Sequence, residues 1–266
     1  MRQIPARLVV VVALLALVLP ISWRSPSVHA VGISNPDLIS DIQTIRGEMN
    51  PFIATNLSAQ AVDAVAVLGN NLLFAAVDPV AGNELFISDG TKAGTRLLKD
   101  IYVGSINSNP TSLRTFGNHV YFSATNAANG SEIWRSDGTE VGTTMVADYS
   151  AGSGSSNGRF FTATSNAVYF SCTSTTLGTE MCKLTHDANS NASVALLKDI
   201  APGASSAQVG RPVAVGDKIF FTAADGTNGS ELWVSDGTSA GTTLVKDINT
   251  ADNTVLNLPL SITRLD

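Results

Sequence analysis

The string ELWVSDGTSAGTTLVKDI, beginning at Glu231, occurs more than once in the chain. It returns as ELFISDGTKAGTRLLKDI from Glu84, as EIWRSDGTEVGTTMVADY from Glu132 and, altered, as EMCKLTHDANSNASVALLKDI from Glu180. Successive starts lie 48, 48 and 51 residues apart. Self-similarity at such a period restricts the chain to a repeat architecture, in which each unit is a small module that buries its apolar faces against the next.

Four units follow from this register, at roughly 62–107, 108–156, 157–205 and 206–255, with a partial unit at 256–266. Each carries four short strand candidates separated by turn signals, and in the second unit these cover 112–116, 120–125, 132–136 and 143–148. Strands one and two are divided by Gly69-Asn70, Gly117-Asn118, Ser165-Asn166 and Gly216-Asp217, residues that tolerate the positive φ of tight hairpins. Strands three and four are divided by Asp89-Gly90, Asp137-Gly138 and Asp236-Gly237, each followed by Thr. Val120, Phe122 and Ala124 alternate with Tyr121, Ser123 and Thr125, so both faces of the strand carry apolar residues and neither is meant for water. The fold expected is all-β, a propeller-like array of four-stranded antiparallel units in an incomplete or small ring, with a β-solenoid as the alternative.

The flanks add a destination and an edge. Arg2 and Arg7 precede an apolar run from Leu8 to Leu19, and Val28-His29-Ala30 ends the segment with small residues around a cleavage point, so 1–30 reads as a signal peptide. An uncleaved membrane anchor is the alternative. Residues 31–61 are irregular, apart from a stray last strand at 38–42, and 258–265 resembles a leftover first strand. Strands two and three of that shared unit are missing, so an incomplete propeller is expected, either a truncated relative of longer proteins or one that self-associates through open sheet edges. A net charge of −6, with 16 scattered basic residues, argues against nucleic acid, which demands clustered Lys and Arg.

The Glu-Leu-Trp-x-x-Asp-Gly-Thr string at 231–238 resembles the bacterial family of secreted proteins named for its ELWxxDGT repeats, whose members are described as hyalin-like or propeller-like. Glu132 to Thr139 is a close second copy; the string from Glu84 has Phe86 for Trp, and the third unit keeps only Glu180. The resemblance implies an exported, repeat-built protein and brings no activity with it.

Residues that recur once per unit are structural first. Glu84, Glu132, Glu180 and Glu231 are expected to accept hydrogen bonds from turns rather than to form a catalytic ring. Asp89, Asp137 and Asp236 begin turns whose backbone amides they can bind, with calcium as the alternative cofactor reading. Trp134 and Trp233 share one strand position with Phe86 and read as core. His119 and His186 lie in different units, and no His cluster for metal or nucleophilic chemistry is expected. Cys172 stands where other units have Ala76, Ala124 and Ala223, and Cys182 where they have Phe86, Trp134 and Trp233. Both changes fall in one unit, which predicts a disulfide between directly opposed residues of strands two and three.

The functional expectation is a secreted, non-enzymatic binding or cell-surface module for an extracellular protein or glycan. Its ligand loops would be 78–83, 126–131, 174–179 and 225–230, with 105–109 and 201–208. A carbohydrate-active propeller enzyme with paired carboxylates in a central funnel, and a purely structural repeat, are the alternatives.

Overall fold

In a computed structural model, residues 64–188, 190–248 and 250 are described, all within the unit Asp37–Asp266. The signal peptide expected at 1–30, the segment 31–61 with its strand at 38–42, and the partial unit 256–266 lie outside the described residues.

Each repeat folds into its own four-stranded antiparallel meander, here called a blade. Blade 1 is β1 (Val65–Leu68), β2 (Asn71–Asp78), β3 (Gly82–Ser88) and β4 (Arg96–Lys99). Blade 2 is β5 (Thr111–Phe116), β6 (His119–Asn126), β7 (Gly130–Ser136) and β8 (Thr144–Ala147). Blade 3 is β9 (Arg159–Ala163), β10 (Val168–Ser174), β11 (Gly178–His186) and β12 (Ala192–Lys198). Blade 4 is β13 (Val213–Val215), β14 (Lys218–Ala224), β15 (Ser230–Ser235) and β16 (Thr243–Lys246). Strand order is sequential in every sheet, and no sheet includes strands of two units. A solenoid would pair each unit with the next along the ladder, so the propeller-like arrangement is the one present.

Each blade repeats the same defect. The pairing of strands three and four slips between Leu85 and Phe86, Ile133 and Trp134, Met181 and Cys182, and Leu232 and Trp233. Leu98, Val146, Leu197 and Val245 are the residues skipped on the fourth strand. A bulge re-aims the extra residue, and here Leu98, Val146 and Leu197 each join the apolar cluster shared with the following blade.

The core is therefore divided among the seams between blades. One cluster joins Leu85, Leu98 and Ile101 of blade 1 to Val120, Phe122 and Trp134 of blade 2. A second joins Tyr121 and Ile133 to Phe161, Phe170 and Cys182, and a third joins Met181, Leu197 and Ile200 to Ile219, Phe221 and Trp233. Among the described residues no cluster joins blade 4 to blade 1, so the four described sheets do not close on one another.

Cys172 and Cys182 form a disulfide, with Cα atoms 5.8 Å apart. The geometry corrects the sequence reading in one respect. Cys172 is paired with Glu180 and Cys182 with Phe170, so the bridge is diagonal across β10 and β11 rather than between directly opposed residues. The same diagonal explains the residues it replaces: in blade 4 the Trp233 indole reaches across it and donates to the Ala223 carbonyl at 3.1 Å. A disulfide suits an oxidising compartment. No helix among the described residues is long and apolar enough to cross a membrane.

Candidate functional site

The repeated glutamates are buried and act as clasps. Glu84 is fully buried and accepts from the Ile101 amide at 2.8 Å, the Ser108 amide at 2.8 Å and the Ser108 hydroxyl at 2.6 Å. Glu132 accepts from the amides of Tyr149 at 3.0 Å and Ser156 at 2.9 Å. Glu180 takes those of Ile200 and Ala201, both at 3.0 Å, and Glu231 that of Ile248 at 3.2 Å. The donors lie on the linker that leaves the fourth strand and enters the next blade. Ser108 and Ser156 in turn accept from Thr125 and Thr173 of that next blade, at 2.8 Å each. The carboxylate thus holds the joint between neighbouring sheets by accepting from the linker amides, of which those of Ser108 and Ser156 also bond the Asn83 and Ser131 carbonyls, at 3.1 and 2.9 Å.

Burial raises the pKa of Glu84 and Glu132, opposed first by the Ser108 and Ser156 hydroxyls. Burial, and after it the Asp199 charge, push Glu180 up to about 7; Ala207 stands where those serines would be and offers a backbone amide but no hydroxyl.

The Ser-Asp-Gly-Thr-x-x-Gly-Thr turns close on themselves. Asp89 Oδ1 accepts from the Thr91 amide at 2.8 Å and its hydroxyl at 2.7 Å; the Thr91 hydroxyl receives the Gly94 amide, and Ser88 bonds Thr95 at 2.7 Å. The set recurs around Asp137 and Asp236. A Cβ on Gly94, Gly142 or Gly241 would collide with the aspartate, which explains the second glycine of the string. The threonine hydroxyls hold the carboxyl pKa of Asp89, Asp137 and Asp236 below the usual value. One such carboxylate per turn, already engaged, is a poor start on the six to eight oxygens of a calcium site. Among the described residues no group of three or more His, Cys, Asp or Glu is placed to hold a metal ion.

The two histidines belong to different units yet are neighbours in space. His119 and His186 come together where blades 2 and 3 meet, with ring centroids 6.3 Å apart. His186 Nε2 shares a hydrogen bond with the Tyr121 hydroxyl, and its ring lies 4.9 Å from that of Phe116. Burial, and then the nearby Arg135 guanidinium, lower the His119 pKa. The pair lies 67 residues apart in sequence, and the lengthened β11 of the third unit is what carries His186 to the contact.

The loops expected to meet ligand are largely engaged with themselves. Asp78, Asn126 and Asp225 accept the amides two and three residues on, and the amides of Asn83, Ser131 and Thr179 donate to Asn107, Ser155 and Ser206 of the inter-blade linkers. The open concavity lies just beyond, where those linkers feed the first strands. A cavity of about 180 Å³ is lined by Ala64, Pro110, Thr111, Ser112, Arg159, Phe160 and Arg211.

Ala64, Ser112, Phe160 and Arg211 are one repeat position, 20 residues before Glu84, Glu132, Glu180 and Glu231 respectively. All four blades therefore contribute the same backbone position to one cavity. Ser112 and Phe160 hold φ values of 58° and 63°, a left-handed conformation costly for residues with a Cβ and frequent at binding sites. The Arg211 guanidinium lies 5.2 Å over the Phe160 ring, a cation–π contact. Arg159 is exposed, and none of the described lining residues is acidic. Sequence reasoning missed this site, although a signal was there: a position occupied by Ala, Ser, Phe and Arg in four units otherwise alike is not held to one structural role.

No protein-family model and no curated protein matches the chain. Similar solved structures include a prolyl endopeptidase (TM-score 0.43, 10% identity, over 66% of this chain and 24% of that one). A gluconolactonase from Xanthomonas campestris matches with a TM-score of 0.40 and 15% identity, over 67% of this chain and 62% of its own. The computationally designed Ika8 protein matches with a TM-score of 0.33 and 17% identity, over 73% and 64%. The chain thus spans less than two thirds of each of them.

Proposed function

We propose that this protein is a secreted, non-enzymatic binding module, of the ELWxxDGT-repeat kind, whose axial cavity takes an acidic extracellular glycan. The observation that carries the reading is the convergence of one variable repeat position from all four blades on a cavity whose described lining has two arginines, an aromatic ring and no carboxylate. Guanidinium groups pair with carboxylate or sulfate through planar, charge-assisted hydrogen bonds, and a ring beside them offers a sugar an apolar face. The protein's net charge of −6 makes such a basic cavity selective, since anions are repelled elsewhere.

A glycosidase-like activity would need two acidic groups across the scissile bond, and the described lining residues include none. The disulfide and the expected signal peptide support export. Titration with uronate-containing or sulfated oligosaccharides, against neutral ones, tests the reading. Binding of the acidic set should fall at least tenfold in Arg159→Ala/Arg211→Ala. Turnover of any glycan, abolished by a single Asp or Glu substitution, would replace the binding module by an enzyme.

A further inference from the structure

The seams of blades 1–2 and 3–4 are built alike, and that of blades 2–3 differs in holding Cys182 at the aromatic position, with Val146 and Tyr149 half-buried. The residue after the clasp glutamate, the bulged residue of strand four and the apolar residue three positions on form a following face. It meets a preceding face made from two strand-two residues and the strand-three aromatic. Leu85, Leu98 and Ile101 meet Val120, Phe122 and Trp134; Met181, Leu197 and Ile200 meet Ile219, Phe221 and Trp233. All twelve are buried, none above 7% exposed.

Blade 4 carries the same following face, and among the described residues no next blade lies upon it. Leu232 is half-buried, Val245 is 48% exposed and Ile248 is 63% exposed, where Leu98 and Ile101 are 2% and 6%. Blade 1 carries the preceding face in the same state. Leu72, Phe74 and Phe86 are half-buried, and Val65, beside them on β1, is 39% exposed, where its equivalents Leu113 and Phe161 are 3% and 1%. Contiguous apolar surface of this kind marks an interaction site.

We propose that these two end faces receive each other between copies of the chain, blade 4 of one against blade 1 of the next. The choice of partner follows from complementarity already present. In the seams of blades 1–2 and 3–4 the preceding face is built from Val or Ile, Phe and Trp at fixed positions, and blade 1 offers Leu72, Phe74 and Phe86 at those positions, only half-buried. The contact is heterologous, joining two different surfaces, so it yields a closed assembly or a growing chain according to the rotation between copies. It differs from edge pairing in that apolar side chains, not strand amides, make the joint.

Sedimentation of the full chain over a range of concentrations should show a mass that rises to at least double. Val245→Glu/Ile248→Glu and Val65→Glu/Val67→Glu place charges on one end face each, at exposed or largely exposed positions that the blade's own fold does not depend on. Each variant alone should remain monomeric with wild-type circular dichroism. Mixed in equal amounts they should form a heterodimer, because the first retains an intact blade 1 and the second an intact blade 4. A wild-type chain that stays monomeric at every concentration, or variants that fail to associate on mixing, would overturn the proposal.

Discussion

Blades 2 and 3 share a backbone and differ in almost everything hung upon it. Their central hairpins have the same register, Phe122 opposite Trp134 and Ala124 opposite Glu132 in one, Phe170 opposite Cys182 and Cys172 opposite Glu180 in the other. Blade 3 has lost the Asp-Gly-Thr turn and extended β11 and β12 into a longer hairpin, closed by Asp187 accepting from Asn191 at 2.8 Å. It has exchanged the indole for a disulfide and the clasp serine for Ala207. What it keeps is the buried glutamate bonded to the outgoing linker. A module in a repeat can therefore replace its turn and its aromatic, provided that the joint to the next module is held.

The largest effect should come from that joint. Glu132→Ala strands the Tyr149 amide and leaves a cavity where the buried side chain stood, while the Ser156 amide keeps the Ser131 carbonyl at 2.9 Å; at about 1–3 kcal/mol for the unpaired donor, with the cavity added, the loss should be about 3–4 kcal/mol. Glu180→Ala should cost less at pH 8, because burial already disfavours the ionised form of Glu180 more strongly. Urea unfolding of both variants measures the difference. Equal losses, or a larger one at Glu180, would break the comparison between the two blades.

How far this was legible in sequence depends on the range of the interaction. The unit boundaries, the four strands of blade 2 and the Gly117 hairpin, with its φ of 58°, follow from local pattern and turn chemistry. The disulfide was legible because two substitutions fell in one unit, yet its diagonal geometry was not, since register depends on where the hairpin turns. The His119–His186 contact and the Arg159–Arg211 cavity were invisible for a different reason. They are made by residues one unit or more apart, and which residues meet there is set by the angle between sheets, which strand periodicity does not encode.

Next in size is the disulfide. Cys172→Ala/Cys182→Ala opens a loop with a sequence separation of 10 residues, and should cost about 2–3 kcal/mol. Cys172→Ala/Cys182→Trp, which writes the blade 2 pair into blade 3, should not recover it. Phe161 occupies the place of the smaller Leu113 and stacks on Phe170 at a centroid distance of 4.6 Å, so the room an indole needs is filled. Thermal melting with and without reductant reads both. A double variant with Trp that matches the oxidised wild type would show that the two solutions are interchangeable after all.

The smallest effect is a gain. Ala207 holds the same backbone place as Ser156: its carbonyl accepts from Ala224 at 2.7 Å as that of Ser156 accepts from Thr173 at 2.8 Å. Ala207→Ser should therefore return a hydroxyl to the Glu180 carboxylate and lower its pKa. The folded-state pKa of Glu180, about 7, lies above the ordinary value of 4.5. Below pH 4.5 the group is protonated folded or unfolded and contributes nothing; between pH 4.5 and 7 the folded chain keeps a proton that the unfolded chain has lost, so stability falls as pH rises. Above pH 7 the whole cost of the buried anion stands. A hydroxyl that stabilises the anion removes part of that cost, worth about 1–2 kcal/mol for a bond to a charged group. The gain should thus appear at pH 8 and shrink toward zero near pH 4.5, giving a flatter stability profile than the wild type across that window. A variant equally stabilised at both ends would show that the serine acts by packing, and that the missing hydroxyl is not what sets Glu180 apart from Glu132.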